Sequence, residues 1–297
     1  MRNATLFGWH SAYNWTLSSY CRTELKIMKS EHNYIAINKQ SWNKRTVSHL
    51  KSDFYDVEGF LNGKSSLNEI ELNLLGDIKG KSVLHLQCHF GQDTISLGRL
   101  GANVTGVDLS DKAIENANTL SKKANIEASF ICCDVYGLPN HLNKQFDIVF
   151  TSYGTIGWLP DIDKWAEVVS KYLKPNGKFI FAEFHPVVWM FDDDFKDIKY
   201  RYFNSEAIIE TESGTYADRN AEINQECITW NHGVGEVVNS LIKNNIEVNS
   251  LREYDYSPYN CFNETIEFEP KKYRIKKMGN KIPMVYSIVG TKKNNCQ

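Results

Sequence analysis

Gly91, Asp108 and Asp134 stand in order along the chain, each just after an apolar run with the look of a strand. Asp108 ends NVTGVD (103–108), and a carboxylate at a strand end can accept hydrogen bonds from both ribose hydroxyls of an adenosine cofactor. Leu109 follows it at the same edge. Asp134 directly follows ASFICC (128–133), where its carboxylate would accept from an adenine amino group while the Val135 N–H meets a ring nitrogen. The loop Gln87-Cys88-His89-Phe90-Gly91 joins a strand to a helix N-terminus, whose free N–H groups point at a ligand. Gly91 alone in that loop has no Cβ to obstruct a close approach. Thr151 and Ser152 end a further run, FDIVFTS (146–152), and face the same crevice.

A dinucleotide needs several glycines where its pyrophosphate meets the helix, and the G-x-G-x-x-G fingerprint is missing: Gln87, His89 and Gly91 stand at the glycine positions. S-adenosylmethionine carries no phosphate and tolerates a bulkier loop. Candidates to touch a substrate or move a proton are Tyr153, after the fourth strand, His185, after the fifth, and His232, before a helix. All three belong near the mouth of one crevice, where a histidine would titrate near neutral pH and accept a proton. Asp161, in a loop beside Pro160, is a fourth candidate. Cys88 is a strand-end thiol with no evident base, which favours an inert lining residue over a nucleophile. His85, in mid-strand, reads as a core histidine. Trp158, Trp189, Phe191, Tyr200, Tyr202, Phe203 and Trp230 either form the core of a cap or line a dry pocket over a small substrate, where ring faces would also suit a cationic amine.

The elements that must position these residues alternate. KSVLHLQ (81–87), NVTGVD, ASFICC, FDIVFTS and GKFIFAEF (177–184) read as strands, with helices over 93–100, 111–124 and 162–173 between them. Ser110 is placed to cap the second helix, and Lys174-Pro175-Asn176-Gly177 is a stop and turn. Such alternation implies a doubly wound parallel sheet of Rossmann-like α/β class, with the ligand beyond the carboxyl ends of the strands. After the fifth strand the alternation breaks. Residues 186–230 form a cap insertion in which 208–216, turning at Ser213-Gly214, pairs with 223–230 as a β-ribbon. A helix over 233–243 and strands at 246–254 and 284–291 complete the domain, which spans 42–297. Residues 1–41 read as an N-terminal arm: 1–27 lack clear periodicity, either a flexible tail or an extension upstream of the true start, and Met28 opens a more regular segment.

Composition narrows the function classes. Over 297 residues the formal net charge is −2, with 42% hydrophobic and 24% charged residues, so no global field gathers nucleic acid or anionic lipid. The basic run Lys271, Lys272, Arg274, Lys276 and Lys277 reads as a solvated face. Seven cysteines, odd in number and without a C-x-x-C, fit reduced thiols in a cytoplasmic protein with no zinc site or disulfide framework. No run approaches a membrane span or a secretory signal.

Residues 81–184 resemble the class I S-adenosylmethionine-dependent methyltransferases. The resemblance rests on VLHLQCHFGQDT (83–94), VTGVDLS (104–110), CCDVYGLP (132–139), FDIVFTSYGTIGWLPD (146–161) and LKPNGKFIF (173–181). It is nearest to a bacterial subgroup whose first motif reads HLQC. The sequence departs from the family at His85, which replaces the usual acidic residue, and at two of the three usual glycines. The resemblance implies a seven-stranded sheet in the order 3-2-1-4-5-7-6 with an antiparallel seventh strand. It also implies S-adenosylmethionine held at Gly91, Asp108 and Asp134, and a pre-strand segment (42–61) that folds over the cofactor and brings Tyr55 to it. The implied reaction is in-line methyl transfer to a small molecule, in a monomer or homodimer. Rival readings are a nicotinamide oxidoreductase, a non-catalytic S-adenosylmethionine-binding or partner-binding protein, and an RNA methyltransferase, the last disfavoured by the charge.

Overall fold

A strand whose every side chain is buried needs cover on both sheet faces, and Ser82–Leu86 is buried throughout. The computed structural model describes residues 33–294. Seven strands form one sheet in the order β3-β2-β1-β4-β5-β11-β8. They are β1 (Ser82–Leu86), β2 (Asn103–Asp108), β3 (Ala128–Cys132), β4 (Phe146–Ser152), β5 (Leu173–Phe184), β8 (Ile246–Tyr254) and β11 (Val285–Lys292). The first five are parallel. β11, last in the chain, runs antiparallel between β5 and β8. The doubly wound, Rossmann-like order and the antiparallel seventh strand agree with the expectation.

Helices cover both faces. Leu84, Leu86, Val149 and Phe181 point into a core shared with α6 (Ile162–Tyr172) and α7 (Val234–Lys243), around the fully buried Trp165. Val83, Ile148, Phe150 and Ile180 point the other way, toward α3 (Glu69–Leu75) and α4 (Gln92–Arg99). α5 (Asp111–Lys123) begins as expected, the Ser110 hydroxyl accepting the Ala113 N–H at 3.0 Å. Asp161 does the same for α6, accepting the Lys164 N–H at 3.0 Å, which accounts for that residue as a cap.

Some elements differ from the sequence reading. The expected turn at Lys174–Gly177 is absorbed into β5: Leu173 pairs with Phe146, and the register shifts before Lys178 meets Ile148. Asn176 takes φ 61° within this bulge. The ribbon is real, but β6 (Ile208–Ser213) and β7 (Asn224–Thr229) are joined by a longer loop over 214–223. A second hairpin, β9 (Thr265–Glu269) with β10 (Lys272–Ile275), was not foreseen. It carries the basic run, whose Lys272 pairs with Glu269 and Arg274 with Asp255. The helix α1 (Tyr34–His49) runs across the 41/42 boundary and docks on β7, where Asn38 exchanges two hydrogen bonds with the Ile228 backbone. Of the arm expected over 1–41, residues 1–32 lie outside the described residues. Among the described residues, no helix is long and apolar enough to cross a membrane.

Candidate cofactor and active site

The carboxyl ends of β1 to β5 open into one cavity of about 1300 Å³. α1 and the cap ribbon roof it. Arg45 on α1 reaches Glu212 on β6 at 2.5 Å, and its guanidinium lies over the rings of Trp42 and Trp158. Clefts for a single small ligand usually enclose about 300–1,000 Å³, so this volume has room for a cofactor and a second molecule.

Tyr55, Gln87, Cys88, Gly91, Asp108, Leu109, Asp134, Val135, Tyr153 and His232 all line the cavity. Asp108 ends β2 with Oδ2 accepting the His89 N–H and Oδ1 the Ser110 N–H, each at 2.8 Å. Each oxygen keeps a second lone pair for a ribose hydroxyl. Burial raises this carboxyl to about 6, while the backbone donors pull the other way. Asp134 caps the 3₁₀ turn at 135–140 by accepting the Gly137 N–H at 3.1 Å, and it too is raised by burial.

The loop after β1 is tightly wound. Gln87 and His89 take φ 56° and 50°, a region glycine enters freely and other residues at a cost. Gly91, at φ 81°, lines the cavity and is also tightly packed on its other side. A Cβ there would stand 2.8 Å from the Phe130 ring and 3.0 Å from Ala117 Cβ, so the missing side chain admits packing neighbours as α4 begins. Gln87 Nε2 donates to the Thr155 carbonyl at 2.8 Å, leaving Oε1 buried and without a partner among the described residues. His89 fills a usual glycine position and meets His49 of α1, Nε2 to Nδ1, at 2.9 Å. Burial drives both imidazoles toward the neutral form, His49 to about 3. The pair is wrapped by Trp42, Tyr55 and Tyr216, and the Tyr55 and Tyr216 hydroxyls meet at 2.5 Å.

Other candidates are placed differently. His185 does not line the cavity; its Nε2 pairs with Glu253 Oε1 of β8 at 2.9 Å. His232 lines the cavity, but Nε2 donates to the Leu159 carbonyl at 2.7 Å and Nδ1 faces Glu236 at 3.2 Å, so both nitrogens are engaged. Thr151 is buried beneath the cleft, its hydroxyl unpartnered among the described residues. Burial pushes the Cys88 thiol far above its usual range, which suits an inert lining residue. His85 bridges Thr94 at 2.8 Å and Ser152 at 3.4 Å as a buried polar link. Of the aromatic group, Trp158, Trp189, Phe191, Tyr200 and Trp230 reach the cavity, and Phe203 is 77% exposed.

Two acidic residues escaped the sequence reading. Glu183, in β5, is buried and accepts five hydrogen bonds: the N–H groups of Gly154, Thr155, Ile156 and Phe184 and the Thr155 hydroxyl. It fixes the loop after β4, to which Gln87 and the Trp230 N–H are also tied. Glu71, on α3, accepts the Tyr153 hydroxyl at 2.9 Å. A carboxylate inside an apolar strand (FIFAEF) was a signal for the first; nothing local marked the second.

Residues 83–177 match the family model described as a methyltransferase domain. The ubiquinone biosynthesis O-methyltransferase of Coxiella burnetii is 28% identical over 138 residues, 46% of this chain and 58% of that protein. The match thus spans little more than half the length of such relatives. A solved S-adenosylmethionine-dependent methyltransferase from Listeria monocytogenes superposes with a TM-score of 0.54 at 20% identity, over 76% of this chain and 96% of that one. Another, from Clostridium acetobutylicum, gives 0.53 at 15% identity over 86% and 99%. The chain therefore has the fold of S-adenosylmethionine-dependent methyltransferases. The match to the methyltransferase-domain model is confined to residues 83–177, with the departures at His85, Gln87 and His89 described above.

Proposed function

We propose that the protein binds S-adenosylmethionine in this cavity and transfers its methyl group to a small molecule. The observation that carries the reading is the ordered placement of the Gln87–Gly91 loop, Asp108 and Asp134 after β1, β2 and β3, all opening on one roofed cavity. Asp108 would take the ribose hydroxyls, and Asp134 with the Val135 N–H the adenine. The orphaned Gln87 Oε1 is a buried acceptor suited to an ammonium donor. When bound, the cofactor supplies a methyl group activated on a sulfonium. The chain's own part is to align the partners and exclude water; alignment alone contributes about 7–11 kcal/mol. Glu183 holds the 154–156 loop at the β4 end, and α1 with the cap roofs the site. Tyr153 stands at the acceptor side, beyond β4. His185 and His232, engaged with Glu253 and with Leu159 and Glu236, are better suited to positioning than to proton transfer.

Calorimetric titration with S-adenosylmethionine tests the reading. Micromolar binding that collapses in Asp108→Ala, with no heat from NADH, is the expected result. No binding by the wild type would sink it.

A further inference from the structure

Behind the acceptor side of the cavity lies the carboxyl of Glu71. Glu71 has no exposed surface. Oε1 accepts the Asn68 N–H at 3.0 Å, and Oε2 accepts the hydroxyl of Tyr153, itself a cavity-lining residue, at 2.9 Å. A buried carboxylate is costly unless paired or protonated. Among the described residues no cation is bonded to it: Lys271, from the turn before β10, reaches Asn68 Oδ1 instead, at 3.3 Å. The other titratable groups nearby are Asp93 on α4, Tyr259 in the loop after β8, and His85, which shares the Ser152 hydroxyl with Asp93. Burial first, and then the charge of Asp93, push Glu71 up to about 7.

Asp93, half-buried, is the cavity-facing end of this arrangement. It lines the cavity in the first turn of α4, and its Oδ2 accepts the Ser152 hydroxyl at 3.1 Å. With adenine at the β3 end and ribose at the β2 end, the charged amino-acid end of the cofactor belongs toward β1 and β4, where Asp93 and Ser152 stand. A cation there cancels the repulsion between Asp93 and Glu71.

Resting on the cofactor reading above, we propose that Glu71 is the proton acceptor of the site: a cation seated against Asp93 drives it to its carboxylate form, and the carboxylate then receives, through Tyr153, the proton that a hydroxyl or N–H acceptor must lose. Tyr153 gives its hydroxyl proton to Glu71 Oε2 as it takes one from the acceptor, and so ends neutral. Glu71 acts through Tyr153 without touching substrate. The arrangement assigns the acceptor to neutral O–H or N–H compounds, which need a base, and away from thioethers and tertiary amines, which have no proton to give up.

The test counts protons. S-adenosylmethionine is titrated calorimetrically into the full chain at pH 7, in buffers of differing ionisation heat. Proton release of up to about half a proton per cofactor is expected, because a group titrating near 7 is half protonated there. Binding should be about tenfold weaker at pH 6 than at pH 7.5. Glu71→Gln should lose the release and flatten the pH dependence while binding within a few-fold of wild type at pH 7.5. Asp108, titrating lower, contributes equally to both proteins, so the difference between them reports Glu71. Should that variant fail to fold, wild-type protein labelled with ¹³C-carboxyl glutamate gives the same information: one glutamate should titrate near 7 when free and not when saturated with S-adenosylmethionine. With an acceptor in hand, the Glu71→Gln pH–rate profile should lose its ionisation limb. Binding without proton release, or release that survives in Glu71→Gln, overturns this inference alone. Absence of any binding heat overturns the cofactor reading and the inference with it.

Discussion

Glu183 is a carboxylate whose bonding capacity is consumed by the loop it holds. Its removal leaves the buried N–H groups of Gly154, Thr155, Ile156 and Phe184 without their acceptor. Each such group costs about 1–3 kcal/mol. Glu183→Ala should therefore lose more than about 3 kcal/mol in urea unfolding, a loss few single substitutions reach. The buried histidines predict the pH dependence of stability. His49 and His85 are held at about 3 and 4, and His89 well below its usual range. The unfolded chain, with imidazoles near 6.5, protonates first as pH falls, so their contribution is complete above about 6.5 and lost below it. Glu71 and Asp108, raised to about 7 and 6, act with the opposite sign: the folded state holds their protons longer, and stability is lost as pH rises toward those values. His185 is lowered as well, and Asp134 and Glu183 are raised, so the two sets oppose each other, and the imidazole share shows in the acid limb of the urea midpoint as the change made by removing one buried imidazole. His85→Gln should make that acid limb shallower.

At the scale of elements, backbone constraint concentrates in the loop that leads from β1 into α4. Gly91→Ala would meet a left-handed φ and the Phe130 ring together. Strain and overpacking each cost about 1–3 kcal/mol, and a loss of at least about 2 kcal/mol in thermal or urea unfolding is expected, with cofactor affinity falling less than in Asp108→Ala. The parallel core was legible because its strands are short, mostly apolar runs alternating with helices, and several end beside a carboxylate or a turn residue. Asp108, Asp134 and the Gln87–Gly91 loop were found the same way, since position relative to a strand end is a local property. What stayed hidden is non-local. The absorption of Lys174–Gly177 into β5 depends on pairing with Phe146, and proline, asparagine and glycine in sequence argue for a turn. The β9–β10 hairpin alternates polar and apolar residues, TIEFE against KYRI, but its strands are only five and four residues long, and its charges read as a solvated face. Glu71 carries the signature of a helix start, and only the fold brings Tyr153, 82 positions along, to its other oxygen.

On the scale of the molecule, the cavity owes its roof to two segments far apart in sequence. Arg45 joins α1 to the ribbon across 167 positions, and Asn38 does so across 190. Arg45→Met should weaken cofactor binding roughly tenfold, or about 1–2 kcal/mol, and speed protease cleavage in the 214–223 loop, with S-adenosylmethionine restoring protection. An unchanged cleavage rate would show that the roof is held by other contacts.

The position of β11 has a consequence for how the protein is made. Residues 285–292 fill the slot between β5 and β8, and the His185 N–H is bonded to the Met284 carbonyl just ahead of them. A chain emerging from the ribosome can pair β1 to β5 early, but β8 has no seat until these residues arrive. Until then β5 presents a bare edge of the kind that recruits strands from other chains. Synthesis of this protein therefore includes an interval of exposure that ends only when residues 285–292 arrive, and loss of those few residues would prolong it indefinitely.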